Sequence, residues 1–150
     1  MTSGYIKIVN GDILDSTETY IAHQCNCVSM DAKGIAKVIF DKYPYADTYS
    51  KRTKHNIPGT IHICKNIINM YAQYYPTVAK YTNDSSTIRI EWFKQCLNVI
   101  AKIPQIQTKT IAMPYNIGCG FGGGDWAVYY AMIKEFATNN KIHVTLYKLD

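Results

Sequence analysis

Apolar residues recur along this chain with two different periods, and the alternation between them outlines a layered α/β fold. Tyr5-Ile6-Lys7-Ile8-Val9 reads as a short strand, closed by the turn signal Asn10-Gly11-Asp12. Tyr20-Ile21-Ala22-His23-Gln24-Cys25 reads as a second strand. From Gly34 onward, apolar residues at 35, 38, 39 and 43 keep helical spacing until Pro44 ends the run. A second short helix is expected over residues 45–52. Pro58-Gly59 marks a turn, and residues 60–64 and 67–72 predict two paired strands joined at Lys65-Asn66. Residues 74–86 are polar and aromatic, contain Pro76 and hold no clean period, so they predict a long loop of a length that is often functional. Ile90, Phe93, Leu97, Ile100 and Ala101 predict an amphipathic helix over residues 87–102. Residues 110–114 predict a buried strand. Trp126, Tyr130, Ile133 and Ala137 predict a last long helix with Asp125 as its N-cap, and residues 141–149 a terminal strand. Strands alternating with helices imply an α/β class with a mixed central sheet flanked by helices. No repeat, linker or low-complexity segment interrupts the pattern.

The stretch Ile117-Gly118-Cys119-Gly120-Phe121-Gly122-Gly123-Gly124-Asp125-Trp126 adds candidate chemistry. Five glycines fall within residues 118–124, between a predicted strand and a predicted helix. Glycine admits positive φ and close approach of backbone to a ligand. A strand, a glycine loop and a helix start gather N–H groups and the positive end of a helix dipole around one point, which suits a phosphate or a diphosphate. The same run also fits a flexible surface loop, or a turn required only for packing.

Composition narrows the class further. A chain of 150 residues, 47% hydrophobic and 18% charged, predicts one domain with a real core. No apolar run approaches the ~20 residues that span a membrane, and Met1-Thr2-Ser3-Gly4-Tyr5 lacks the pattern of a signal peptide. The five cysteines are odd in number and scattered, as expected of reduced thiols in an intracellular protein. The net charge of +5 is spread along the chain; it reads as a solvated basic surface or as mild attraction for anionic ligands such as nucleotides. Cys25 and Cys27 have no His pair at metal-ligand spacing, so no metal is expected. Cys119 lies among N–H groups that lower a thiol pKa, but no Arg closes its loop as a cysteine phosphatase requires. Asp125-Trp126 after the glycine run departs from the G-x-x-x-x-G-K-[ST] phosphate loop.

Four short elements in order carry a family resemblance: Val9-Asn10-Gly11-Asp12-Ile13, Ala22-His23-Gln24-Cys25-Asn26-Cys27, Gly34-Ile35-Ala36, and Met113-Pro114-Tyr115-Asn116-Ile117-Gly118-Cys119-Gly120. Together they resemble a macro domain, the ADP-ribose-binding module, over nearly the whole chain. The similarity is greatest to the branch holding the ADP-ribose 1''-phosphate phosphatases and terminal ADP-ribose protein glycohydrolases. The resemblance implies a three-layer fold as a single macro domain over residues 1–150, with ADP-ribose or a derivative as ligand. It further implies hydrolysis of a terminal group without a cofactor, with ADP-ribose 1''-phosphate as the preferred substrate; or reading of free or protein-linked ADP-ribose without turnover; or removal of ADP-ribose from a protein or nucleic-acid end by water attack without a lysine. ADP-ribosylated protein or nucleic acid enters as a possible partner, and a monomer is expected.

By that resemblance Asp12 accepts from the adenine amino group and the Ile13 amide meets the ring; alternatively Asp12 only forms its own turn. Gly34, Ile35 and Ala36 present helix-start amides to phosphate. Gly118, Cys119, Gly120, Phe121 and Gly122 close over the diphosphate, with Phe121 against the distal ribose or acting as a hydrophobic plug. Asn26 matches the residue that reaches the distal ribose hydroxyls, where an amide both donates and accepts. His23 matches an acid/base or phosphate contact of some members, or is a satisfied core histidine. Asp125 activates a water, or caps its helix, or both.

The chain departs from the family pattern in three places. The first loop reads Met30-Asp31-Ala32-Lys33-Gly34, poorer in glycine than usual, with Lys33 as a cation for the phosphates or a solvated residue. The strand that ends in the glycohydrolases' nucleophilic lysine here ends at Gln73, which forms no Schiff base. Their partner acid is replaced by Gly122. The lysine-dependent mechanism is therefore not expected.

Overall fold

The computed structural model describes residues 4–149. Its strands are β1 (Tyr5–Asn10), β2 (Tyr20–Asn26), β3 (Ile61–Cys64), β4 (Ile67–Gln73), β5 (Thr110–Pro114) and β6 (His143–Lys148); its α-helices are α1 (Gly34–Lys42), α2 (Ser86–Ile100) and α3 (Trp126–Asn140). They form one six-stranded mixed sheet in the order β1-β6-β5-β2-β4-β3. Every neighbouring pair is parallel except β3–β4, the hairpin closed at Lys65-Asn66. Lys65 takes φ of 54° there, the left-handed turn geometry that a two-residue hairpin needs.

Helices cover both faces of the sheet. The alternation of strand side chains divides the core between them. Ile68, Met70, Ile111 and Met113 pack with Phe93, Leu97, Ile133 and Phe136 of α2 and α3. Ile21, Cys25, Ile67, Tyr71 and Ala112 pack with Ile39 and Phe40 of α1. A parallel strand covered on both faces reads as a continuous apolar run, and all seven residues of β4 are buried.

Most of the expected elements are present. The helix expected over residues 45–52 is not: Pro44–Ala46 makes a single 3-10 turn. Asp47 Oδ1 then accepts from the amides of Tyr49 at 2.9 Å and Ser50 at 3.1 Å. This local side-chain turn satisfies the backbone in place of helix propagation. Two further 3-10 turns, Ile13–Asp15 and Ile106–Thr108, were too short to leave a periodic signal. The long irregular segment after β4 is as expected, and Ser85 ends it by capping α2 with a 3.1 Å bond from Ile88 N–H.

Candidate functional site

The parallel strands all end on the same edge of the sheet, and a ligand crevice forms outside such carboxyl ends. Two loops rise there. The first follows β2 and ends at Gly34, which opens α1 with φ of +60°. Lys33 stands at the N-cap position and makes no side-chain capping bond, so the first-turn amides of Gly34, Ile35 and Ala36 are left for other partners. The second loop follows β5. Asn116, Gly118 and Gly123 all take positive φ, at 72°, 79° and 71°. The loop folds on itself through Cys119 N–H to Asn116 O at 2.8 Å and Gly124 N–H to Gly118 O at 3.1 Å. A Cβ on Gly118 would lie 2.6 Å from the ring of Tyr129, so this glycine is required for both conformation and space.

The two loops meet. Phe121 is 69% exposed, yet its ring lies where a Cβ on Gly34 would come within 2.7 Å. The side chain is laid across the start of α1 and is not plugged into the core.

Asn26 and Asp12 each commit one oxygen to local structure. Asn26 Oδ1 accepts from Val28 N–H at 3.1 Å and Ser29 N–H at 2.8 Å, which shapes the first loop and leaves its Nδ2 as the group for a ligand. Asp12 Oδ1 accepts from Leu14 N–H at 2.9 Å and caps the following 3-10 turn. Its other oxygen has no hydrogen-bond partner among the described residues. Ile13, which follows, is buried.

His23 does not reach the crevice: of its two expected places, contact with the ligand or the core, its burial fits the core. The odd positions of β2 face α1, so the imidazole is wholly buried. It holds Asn69 Oδ1 at 2.6 Å and packs edge-on against Phe40. Burial pulls its pKa down to about 4, against the opposing hydrogen bond with Asn69. Below pH 6.5 the unfolded chain takes up a proton that the folded one refuses, so stability falls between about pH 6.5 and about 4 and levels off below. The loss is about 3 kcal/mol if fully expressed. Urea unfolding at pH 7 and pH 5 should show about 2 kcal/mol of it in the wild type and a much smaller change in His23→Gln; equal losses would refute this origin.

Asp125 is the N-cap of α3, accepting from Ala127 N–H at 3.0 Å, with an exposed carboxylate. Cys119 is no nucleophile at neutral pH: burial, and then the charge of Asp125, push its thiol up to about 11. Lys33 is exposed and makes no ion pair among the described residues.

Three residues that support the site carry no motif. Arg89 in α2 is buried, and its guanidinium gathers the whole region: Nε and Nη2 donate to Asp84 at 2.9 and 2.7 Å, and Nη1 to the carbonyls of Thr77 and Gly122. Asp84 is also buried and accepts from the amides of Tyr74 and Tyr75. One ion pair therefore ties the long loop to the glycine loop. Gln73 is the other case. A register shift between β2 and β4 pairs Cys25 with Tyr71 but Asn26 with Gln73, so Ala72 is an extra residue. The bulge re-aims Gln73 toward Gln24, whose Nε2 donates to Gln73 Oε1 at 2.6 Å beneath the glycine loop. The one signal for Arg89 is its place four residues before Phe93, a lone cation on the apolar stripe of α2.

Comparison with known proteins fixes the fold. No protein-family model matches the chain, and neither does any curated protein. Solved structures do. A protein of unknown function from Bacteroides thetaiotaomicron is 26% identical, with a TM-score of 0.74, over 97% of this chain and 98% of that one. The macrodomain of Mycobacterium tuberculosis DarG is 21% identical, with a TM-score of 0.70, over 96% and 97%. Thermosipho africanus DarTG, solved in complex with ADP-ribose, is 17% identical, with a TM-score of 0.70, over 96% of this chain and 41% of its own.

Proposed function

From the macrodomain fold of this chain we propose that residues 1–150 act as one ADP-ribose-binding domain, with the ligand in the crevice between its two loops. The observation that carries this reading is the facing pair of positive-φ glycines. Gly34 opens α1 and Gly118 lies in the second loop, both at positive φ, and the two loops meet where the Phe121 ring crosses Gly34. In this arrangement Asp12, through its uncommitted oxygen, and the Ile13 amide receive the adenine. Lys33 and the amides of Gly34, Ile35 and Ala36 hold the diphosphate from one side, and residues 118–122 close from the other. Asn26 Nδ2 donates to a distal ribose hydroxyl, with Phe121 over the sugar.

The further step we propose is hydrolysis of a terminal group, with ADP-ribose 1''-phosphate as preferred substrate. The exposed Asp125 carboxylate beside the glycine loop favours it. A water oxygen attacks phosphorus, Asp125 takes the water's proton, and the P–O bond to the ribose breaks. The ribose oxygen leaves with the electron pair and is protonated from solvent. His23 takes no part, being sealed in the core. Gln73 cannot supply the lysine route, because a carboxamide nitrogen is not nucleophilic and forms no Schiff base; its amide is bonded to Gln24 and to Tyr75 O. Phosphate release from ADP-ribose 1''-phosphate tests this. Asp125→Asn keeps a good helix cap but removes the base, and should lower turnover by ~100-fold or more while ADP-ribose affinity holds. A wild type that binds ADP-ribose but releases no phosphate would leave a reader without turnover. An Asp125→Asn variant as active as the wild type would remove Asp125 from the chemistry.

A further inference from the structure

Asn26 is held from outside its own strand. β2 pairs with β4 in step as far as Cys25 and Tyr71, and the register then shifts to Asn26 and Gln73. At this shift two side chains from the segment after α1 take the Asn26 main chain. Asn26 N–H donates to the Tyr49 hydroxyl at 2.7 Å, and Asn26 O accepts from Arg52 Nη2 at 3.2 Å. The two side chains also hold each other. The Arg52 guanidinium carbon lies 4.6 Å from the centre of the Tyr49 ring, and Phe40 meets that ring edge-on at 5.2 Å. Tyr49 is buried, so its hydroxyl is a fixed point.

The clamp extends one residue further. Arg52 Nη1 donates to Asn56 Oδ1 at 3.1 Å, and Asn56 N–H donates to Cys27 O at 3.0 Å. Arg52 thus secures the carbonyls of residues 26 and 27, one directly and one through Asn56. On the side chain, Asn26 Oδ1 is already fixed by the amides of Val28 and Ser29. A carboxamide is planar, so fixing the main chain and Oδ1 also fixes the direction of the Nδ2 donor.

Stability alone is a poor reason for this arrangement. Arg52 Nε is buried with no hydrogen-bond partner among the described residues, and burying an unpaired donor is unfavourable. Such a local cost is characteristic of side chains that hold a ligand-facing group in one geometry. A role confined to supporting the loop would serve every ligand of the crevice alike. A role in aiming Nδ2 would serve only a ligand with a group for that donor.

Resting on the ADP-ribose reading of the crevice, we infer that Tyr49 and Arg52 are positioning residues that aim the Asn26 amide at the distal ribose. They thereby make the site prefer ADP-ribose to a nucleoside diphosphate that ends at phosphate. Calorimetry with ADP-ribose and with ADP, which lacks the distal ribose, tests this. The wild type should bind ADP-ribose ~tenfold or more tightly than ADP. Tyr49→Phe keeps the ring between Phe40 and Arg52 but removes the acceptor of Asn26 N–H. Arg52→Met keeps an apolar stem over Tyr49 but removes the donor to Asn26 O. Each should cut the preference for ADP-ribose by about three- to tenfold, with ADP affinity moving by less than about twofold. Asn26→Ser keeps an oxygen for the Val28 and Ser29 amides but lacks the amide donor, and should cut the preference at least as far. Adding Tyr49→Phe to Asn26→Ser should then cost nothing more, because both act through one group. Equal weakening of both ligands, an unchanged preference in both single variants, or additive losses in the double variant would overturn the inference. A wild type that binds the two ligands equally would overturn the role of Asn26 and the inference with it. A wild type that binds neither would overturn the crevice reading itself.

Discussion

Arg89→Met is expected to lower the unfolding free energy by about 3–5 kcal/mol, the cost of breaking a buried ion pair from one side. The substitution strands the Asp84 carboxylate in the interior and frees the carbonyls of Thr77 and Gly122. An apolar replacement of both partners offers no escape here, because Asp84 also serves the amides of Tyr74 and Tyr75, which would lose their acceptor. Urea titration of wild type and variant at pH 7 measures the difference, and a shift under 1 kcal/mol would contradict this account. The same pair has a pH signature. Burial by itself would raise the Asp84 pKa, but the hydrogen bonds from Arg89 and from the Tyr75 and Tyr74 amides outweigh it and hold the carboxyl below its ordinary value. Its stabilisation is therefore complete above about pH 4 and is lost as the pH falls through the depressed value. The histidine-linked loss comes earlier, above pH 4, so acid unfolding should run in two stages.

Gly118→Val should abolish ADP-ribose binding, by ~100-fold or more in calorimetry. Valine at φ of +79° is strained, and its Cβ meets the Tyr129 ring at 2.6 Å. That ring is buried and packed on Phe93 at 4.8 Å, so it cannot swing away and the loop must move instead. Gly34→Val also takes a positive φ, but its obstacle is the exposed Phe121 ring, and the loss should be smaller. Gly120→Ala meets no atom within 4 Å and should lose least of the three. A Gly118→Val protein that binds within threefold of the wild type would remove the glycine loop from the binding account.

Periodicity made the layered fold legible because its strands and helices are long enough to repeat. β5 announces itself as a short apolar run, β4 as an apolar run broken by Asn69, and α3 by its Asp cap and regular stripe. The 45–52 segment misled because spacing alone does not report a competing side chain, here the Asp47 carboxylate that takes two backbone amides. The glycine loop was legible as a loop, since positive φ at Gly118 and Gly123 and their close packing both require residues without Cβ. His23 shows the limit of local reading. Its motif neighbour Asn26 ends β2 at the first loop, but strand alternation turns the His23 ring into the core beside Phe40, and only three-dimensional placement reveals the layer of side chains that seals it. Arg89 and Asp84 were illegible in the opposite sense, because their importance lies in which carbonyls of distant loops converge on them. The Gln24–Gln73 contact depends on a one-residue bulge that leaves no mark in composition.

The pairing of β1 with β6 carries a consequence in time. Tyr5 lies in register with His143, so among the described residues the first strand of the sheet finds its partner in the strand furthest from it in sequence. Closing so long a loop is entropically costly and favours a late step in folding. Asp12 and Ile13 hang from the end of β1. In the proposed binding mode, the end of the crevice that they would form is therefore completed last, after the two loops already stand on the central strands. On that reading, a refolding chain would acquire the half proposed to face the phosphates before the half proposed to face the base.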